Sequence, residues 1–248
     1  MDPYSTIFQR RSIRNYNQQP LDEPTLNKIK KQFEVLKPLY EDIKTEFIVL
    51  TSEDVNQRMM KKAPHYIAAF SEIKEGYLTN IGFMLQQMDL YLSMNGIGAC
   101  FQGIPSVKKH VLKSTELKFI ILLAFGEANE QLHRLDISEF KRKSFQEISN
   151  NTEAREIIEA ARMAPSATNS QPWYFTGDSN TINAYIKKPN VLKRIMAGKY
   201  PPIDLGIALY HLNIAAEHFA KKVSYSFNQE NKDSAPKNTE FVVRVKLS

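Results

Sequence analysis

The sequence predicts an α+β fold built as two similar halves in tandem, and three observations predict it. Short apolar segments with strand character alternate with longer helical segments along the whole chain. Two of the helical segments, NIGFMLQQMDLYLSMN at 80–95 and DLGIALYHLNIAAEHF at 204–219, align without gaps at an offset of 124 residues, half of the 248-residue chain. Each is followed, after about 20–25 residues, by an apolar strand. The alignment pairs Gly82 with Gly206, Leu85 with Leu209, Met88 with Leu212 and Leu90 with Ile214. Identity is low, so two unrelated buried helices remain the alternative to a duplication.

The elements follow in order. Residues 21–36 read as an amphipathic helix: Asp22 is an N-cap, Pro24 lies in the first turn, and Leu26, Ile29, Phe33 and Leu36 recur at helical spacing. Residues 46–50 (EFIVL) and 66–70 (YIAAF) read as strands. A long helix covers 77–95 and ends at Gly96, a C′ residue. Residues 119–125 form a buried strand stopped by Gly126. A second amphipathic helix spans 151–163, with Ala154, Ile157, Ile158 and Ala161 on one face, and Pro165 closes it. A strand begins at Tyr174, a long apolar helix covers 204–221, and EFVVRVKL at 240–247 is a terminal strand. The polar run 228–239 is a loop. The two halves are expected at 1–148 and 149–248. Both long helices are apolar around much of their circumference, which makes them central elements. A glycine inside such a helix costs about 1 kcal/mol relative to alanine and is tolerated where another backbone comes close.

Composition narrows the function classes. Hydrophobic residues make up 42% and charged residues 24%, so the chain can build a core and is not intrinsically disordered. The net charge of +6 suits anionic small ligands, but acidic residues interleave with basic ones, so there is no polybasic signature. No aromatic pattern for RNA binding is present. The single cysteine, Cys100, excludes an intrachain disulfide and any multi-cysteine metal site, which favours a reducing, cytoplasmic home. The N-terminus has no apolar signal-peptide region. The longest apolar run, 119–125, is far short of the roughly 18–20 residues of a membrane helix. No metal site is expected: His211 and His218 lack the spacing, and His65, His110 and His133 stand alone in sequence.

Two motifs could carry chemistry. The first is Arg10-Arg11-Ser12-Ile13-Arg14, three guanidiniums and a hydroxyl within five residues. Arginine presents a planar fork to phosphate oxygens and serine adds a neutral donor; a solvated basic turn or a nucleic-acid arm would have the same composition. The second is Ala164-Pro165-Ser166-Ala167-Thr168-Asn169-Ser170-Gln171-Pro172-Trp173-Tyr174-Phe175, a small-residue polar loop between a helix and a strand. Such a loop brings backbone N–H groups and short side chains close to a flat ligand. Trp173 is expected in the core. Ser166 lacks a Gly-x-Ser-x-Gly elbow and is not a nucleophile candidate.

RRSIRNY together with APSATNSQPWYF resembles the nitroreductase family of FMN-dependent oxidoreductases. The resemblance extends more loosely through the glycine-bearing helix, the GIGACFQGIP turn and the LLAFGE strand end. It implies an α+β fold of mainly antiparallel sheets flanked by helices. In the usual family member both motifs occur early in one chain and two chains share each flavin. Here about 150 residues separate them: the first half has RRSIR but lacks the Pro-Ser loop, and the second half has the loop but lacks RRSxR. The chain thus resembles a fused, pseudo-dimeric branch, with the halves related by a pseudo-two-fold axis and one FMN per chain. A monomer is implied, with a homodimer as the other possibility.

The resemblance carries roles to particular positions. Arg10, Arg11, Ser12 and Arg14 match the phosphate and ribityl motif, and Lys141 and Lys143 match a basic stretch whose alternate residues reach the phosphate. Pro165, Ser166, Ala167 and Asn169 match the loop against the flavin ring; Ala167 stands where a second serine is frequent. Gln102 and Gly103 match a turn that places a backbone N–H near flavin N5. Asn56 matches an amide at the pyrimidine edge. The implied activity is hydride transfer from NAD(P)H through flavin N5 to a nitroaromatic, a quinone or a similar small acceptor, with no nucleophile or dedicated base. The alternatives are a flavin-binding sensor or carrier without NAD(P)H turnover, and a cofactor-free interaction scaffold. Neither a nucleic acid nor a membrane is expected as partner.

Overall fold

The computed structural model describes residues 2–57, 62–188, 198–228 and 235–248. The chain divides into two compact units, Met1–Ile137 and Ser138–Ser248. The boundary falls before the expected 148/149. The reason is local: the short helix at Phe145–Ile148 packs against elements of the second unit.

In the first unit, α1 (Pro3–Ile7) is capped by Asp2 and packs on α3. Helix α2 (Glu23–Gln32) has Asp22 as N-cap, accepting from the Thr25 N–H at 2.7 Å, and Pro24 in its first turn. A single 3-10 turn, Phe33–Val35, extends it, so the expected helix over 21–36 is a shorter α-helix with a tightened end. Then come β1 (Thr45–Thr51), β2 (Val55–Asn56), β3 (His65–Ser71), α3 (Tyr77–Met94), β4 (Gly98–Gln102), β5 (Ser106–Val107), α4 (Lys109–Leu112) and β6 (Lys118–Gly126). The main sheet has the order β1-β3-β6-β4 with every pair antiparallel. All seven residues of β3 are buried, as the continuous apolar run requires of a central strand. Gly96, after the end of α3, has φ +78°, a left-handed turn that glycine takes without steric cost. GIGACFQGIP, expected as a turn, contains β4: Ala99 and Cys100 are buried beside the apolar β6.

The second unit contains α5 (Phe145–Ile148), α6 (Arg155–Arg162), β7 (Trp173–Gly177), β8 (Thr181–Lys187), α7 (Tyr200–His218), β9 (Val223–Ser226) and β10 (Thr239–Leu247). Its sheet runs β7-β8-β10-β9, again entirely antiparallel. Helix α6 is shorter than the expected 151–163. Asn151 uses its side-chain oxygen on the N–H groups of Glu153 and Ala154, which sets a turn ahead of the helix. Helix α7 starts four residues before the expected Asp204, because Pro201 and Pro202 fit a first helical turn. Trp173 is fully buried, as expected. The expected loop at 228–239 lies partly outside the described residues.

The two units repeat one topology. Leaving aside β2 and β5, which pair in a separate two-stranded sheet, each main sheet takes two strands before the long helix and two after it, and the fourth inserts between the second and third. β1, β3, α3, β4 and β6 correspond to β7, β8, α7, β9 and β10. A shared strand order is far more specific than the faint helix alignment, and it supports a duplicated unit over two unrelated helices.

Candidate functional site

In the first unit the basic segment lies along β4. Ser12 bridges Ala99 in parallel fashion, and the Ile13 N–H donates to the Ala99 carbonyl at 2.9 Å. The approach is close: a Cβ on Gly98 would sit 2.8 Å from Ile13 Cγ1. The Tyr16 hydroxyl donates to the Ile13 carbonyl at 2.6 Å and closes the turn. The segment is therefore a rigid ledge.

The four residues expected at a phosphate fall into two environments. Arg10 is 1% exposed, and its Nε lies 2.9 Å from Asp89 Oδ2 on α3, an ion pair by proximity. Its Nη2 donates to Ser12 Oγ at 3.2 Å, and Gln86 donates to Asp89 at 3.1 Å. Burial pushes the Asp89 carboxyl up, with Arg10 and Gln86 opposing. Arg10 is held in a buried pair, where isolation of either charge would be costly. Arg14 is exposed, and Arg11 is half-buried, with Glu130 3.6 Å from its Nη2. Glu130 also accepts the N–H groups of Arg14 and Asn15, at 2.8 and 3.0 Å. Burial raises the Glu130 carboxyl, but those hydrogen bonds and the arginine charges outweigh it and leave its pKa lowered. Cys100, buried below Ser12, has its thiol pushed up by burial against the pull of Arg14 and Arg10.

Gln102 ends β4, three residues beyond Ala99, or about 10 Å at strand spacing. It is buried, and its Oε1 accepts from Gln57 at 3.5 Å. Gln57 in turn accepts from the Tyr66 hydroxyl at 2.5 Å. Gly103 follows, half-buried. Asn56 is exposed on β2, its amide donating to the Val107 carbonyl at 3.4 Å. β4 therefore runs from the basic ledge at one end to an amide cluster at the other.

In the second unit the Pro-Ser loop has unusual backbone geometry. Thr168, Asn169 and Gln171 have φ of +53°, +58° and +45°. Left-handed backbone costs roughly 1–2 kcal/mol for each non-glycine residue, most for a β-branched one. The surroundings brace it. Asp204 on α7 accepts the Ala167 N–H at 3.0 Å, and Ser166 Oγ accepts the Gln171 N–H at 2.9 Å. Arg142 donates to Asn169 Oδ1 at 2.8 Å and to the Met163 carbonyl at 3.0 Å. Lys143 Nζ donates to the carbonyls of Ser170 and Gln171 at 2.7 and 3.1 Å. Asn169 Nδ2 donates to the Lys141 carbonyl.

Ser166 and Asn169 spend side-chain bonds on the loop itself. Lys143 makes these two carbonyl contacts, whereas Lys141 is exposed. Arg142, passed over between the two lysines, is the residue that reaches Asn169. Its guanidinium also lies 5.3 Å from the Phe140 ring centroid. Asp204 was also missed as a site residue, and the first half shows why it matters. There Asn80 Oδ1 accepts the N–H groups of Leu39 and Tyr40 at 2.7 and 3.0 Å, just after Pro38. The first half therefore keeps a loop at the equivalent position, without the Pro-Ser sequence and without left-handed residues.

Strained backbone persists only where its neighbours over-determine it, and such strain concentrates at ligand sites. The donor set of the first unit, exposed Arg14, half-buried Arg11 and Ser12, suits an anion; the braced loop of the second suits the edge of a flat group.

A family model described as "Putative TM nitroreductase" matches residues 2–216. Among solved structures, the chain is similar to a putative nitroreductase from Thermotoga maritima MSB8. The TM-score is 0.70 and the identity 21%, over 100% of this chain and 94% of that one. A nitroreductase family protein from Clostridium novyi NT aligns with 59% of this chain and 99% of its own, at 20% identity and a TM-score of 0.43. An FMN-dependent nitroreductase from Clostridium difficile R20291 aligns with 55% of this chain and 93% of its own, at 16% identity and a TM-score of 0.43. No curated protein matches the sequence. The Thermotoga likeness shows the fold across the whole chain.

Proposed function

The chain belongs to the Putative TM nitroreductase family, and on that premise we propose that it is an FMN-dependent oxidoreductase. It would take hydride from NAD(P)H and deliver electrons to a small acceptor such as a nitroaromatic or a quinone. When bound, FMN would supply the redox chemistry. Arg14, Arg11 and the Ser12 hydroxyl would hold the phosphate. Arg10 keeps that ledge in place from below through Asp89. Gln102, Gly103 and Asn56 offer amide donors and acceptors for the polar edge of the ring, with Gln57 fixing the Gln102 amide. The loop 165–171 offers a rigid backbone edge, prepared before the ligand arrives, and Arg142 and Lys143 hold it so. No side chain acts as nucleophile or dedicated base.

The observation that carries this reading is the left-handed backbone of Thr168, Asn169 and Gln171, braced from α7 and from 141–143. The reading is tested by flavin content. Purified protein should be yellow, with close to one equivalent of FMN per chain, and NADH or NADPH should bleach it in stopped-flow mixing. Colourless protein that takes up no added FMN overturns the assignment. Bound flavin that stays oxidised with both nucleotides identifies a sensor or carrier instead.

A further inference from the structure

We propose that Asp204 is a positioning residue: it holds the 165–171 loop in the conformation that receives the flavin, an inference that rests on the flavin reading of that loop. The carboxyl sits in the N-terminal part of α7, buried, and its Oδ1 takes the Ala167 N–H at 3.0 Å. That hydrogen bond fixes the loop at its entry, just before the left-handed residues Thr168 and Asn169. Oδ2 is buried without a well-formed hydrogen bond, so the group is kept in an environment that disfavours its charge. Burial pushes its pKa up to about 7, against the Ala167 N–H and the Ser170 hydroxyl.

The first half is an internal control. Asn80 occupies the matching place on α3, two residues before the paired glycine, and makes the same contact to the loop after Pro38. That loop has no left-handed residue outside glycine, and a neutral amide serves it. The strained loop of the second half has a buried carboxyl in that place, accepting the Ala167 N–H. The difference in acceptor follows the difference in backbone strain.

The experiment uses the full chain, first stripped of flavin and then titrated with FMN. In FMN-free protein, hydrogen exchange at the amides of Asn169, Ser170 and Gln171 should quicken about tenfold or more in Asp204→Leu. FMN affinity should fall by a similar factor. Asp204→Asn, which keeps the acceptor, should restore both to within about threefold of the native protein. Should Asp204→Leu fail to fold, Ala167→Pro removes the donated hydrogen from the loop side. Ser166, at φ −145° and ψ 157°, already has the extended backbone that precedes proline. Ala167→Pro should then reproduce the faster exchange. Unchanged exchange in both Asp204→Leu and Ala167→Pro overturns the proposal, as does looser exchange with native FMN affinity. Native protein that binds no FMN would overturn the flavin reading, while the exchange data would still show whether Asp204 holds the loop.

Discussion

Asn80 and Asp204 stand 124 residues apart at one place in two halves whose main sheets share a strand order. Each accepts a backbone N–H from the loop that follows a proline, Tyr40 after Pro38 in one case and Ala167 after Pro165 in the other, both at 3.0 Å. The helix–loop anchor is thus part of the repeated unit, whereas the Pro-Ser sequence is present in one copy alone.

Arg10 and Arg14 should separate under substitution. Arg10→Ala leaves Asp89 buried without its cation and should cost about 3–5 kcal/mol of stability in denaturant titration. Arg14→Ala, at an exposed position, should change stability by less than about 0.5 kcal/mol. It should nevertheless weaken FMN binding by about tenfold or more in a fluorescence titration, because a charge-assisted bond is lost. Equal effects of the two variants on stability would contradict the division of roles.

Gly98→Ala probes the ledge from beneath. The added methyl would meet Ile13 Cγ1 at 2.8 Å, so the basic segment must lift from β4. Overpacking of this kind costs about 1–3 kcal/mol. The melting temperature should drop, and FMN affinity should fall with it. Native melting and native affinity together would show that the segment yields without consequence.

Thr168→Gly relieves the largest share of the loop strain. A β-branched residue at φ +53° is the least suited to that backbone. Thermal unfolding should show a gain of up to about 1 kcal/mol, from the left-handed cost that glycine avoids. FMN affinity should decline, because a looser loop is ordered only on binding. A variant with lower stability would show that the threonine side chain contributes more than its backbone costs.

Two buried groups make stability depend on pH with opposite signs. The Asp204 pKa rises from 3.8 to about 7, so between those values the folded chain binds the extra proton. Its contribution is favourable near pH 4 and lost as pH rises through 7. Asp204→Asn should therefore stabilise the protein at pH 8, by at most about 4 kcal/mol, and the gain should vanish towards pH 4. His65 works the other way. Its Nε2 accepts the Leu21 N–H at 2.9 Å and its ring stacks on Phe125, so the neutral form is required. Burial holds its pKa below 6.5, and its contribution is lost as pH falls below that value. Unfolding midpoints of the native protein, Asp204→Asn and His65→Gln from pH 5 to 8 should show the two opposite slopes.

The apolar strands 66–70 and 119–125, the Asp22 cap and the helix at 77–95 were legible because each is written in a local pattern. β4 was not, since a five-residue strand with glycine at its start is defined mainly by the β6 beside it. The arginine motif was legible as a cluster, but the partner that takes Arg10 out of it, Asp89, lies on another element. The left-handed Thr168 had no local signal, because threonine is among the residues least expected there. The choice of Arg142 over its neighbouring lysines depends on a turn that brings it to Asn169.

The repeated strand order has an evolutionary corollary. When both copies of a unit are encoded in one reading frame, they are made in a fixed one-to-one ratio at any expression level. A substitution at residue 166 then alters the loop of one copy and leaves residues 38–40 of the other copy unchanged. Residues 38–40 and 165–169 can likewise change independently, which permits two corresponding segments to carry different chemistry.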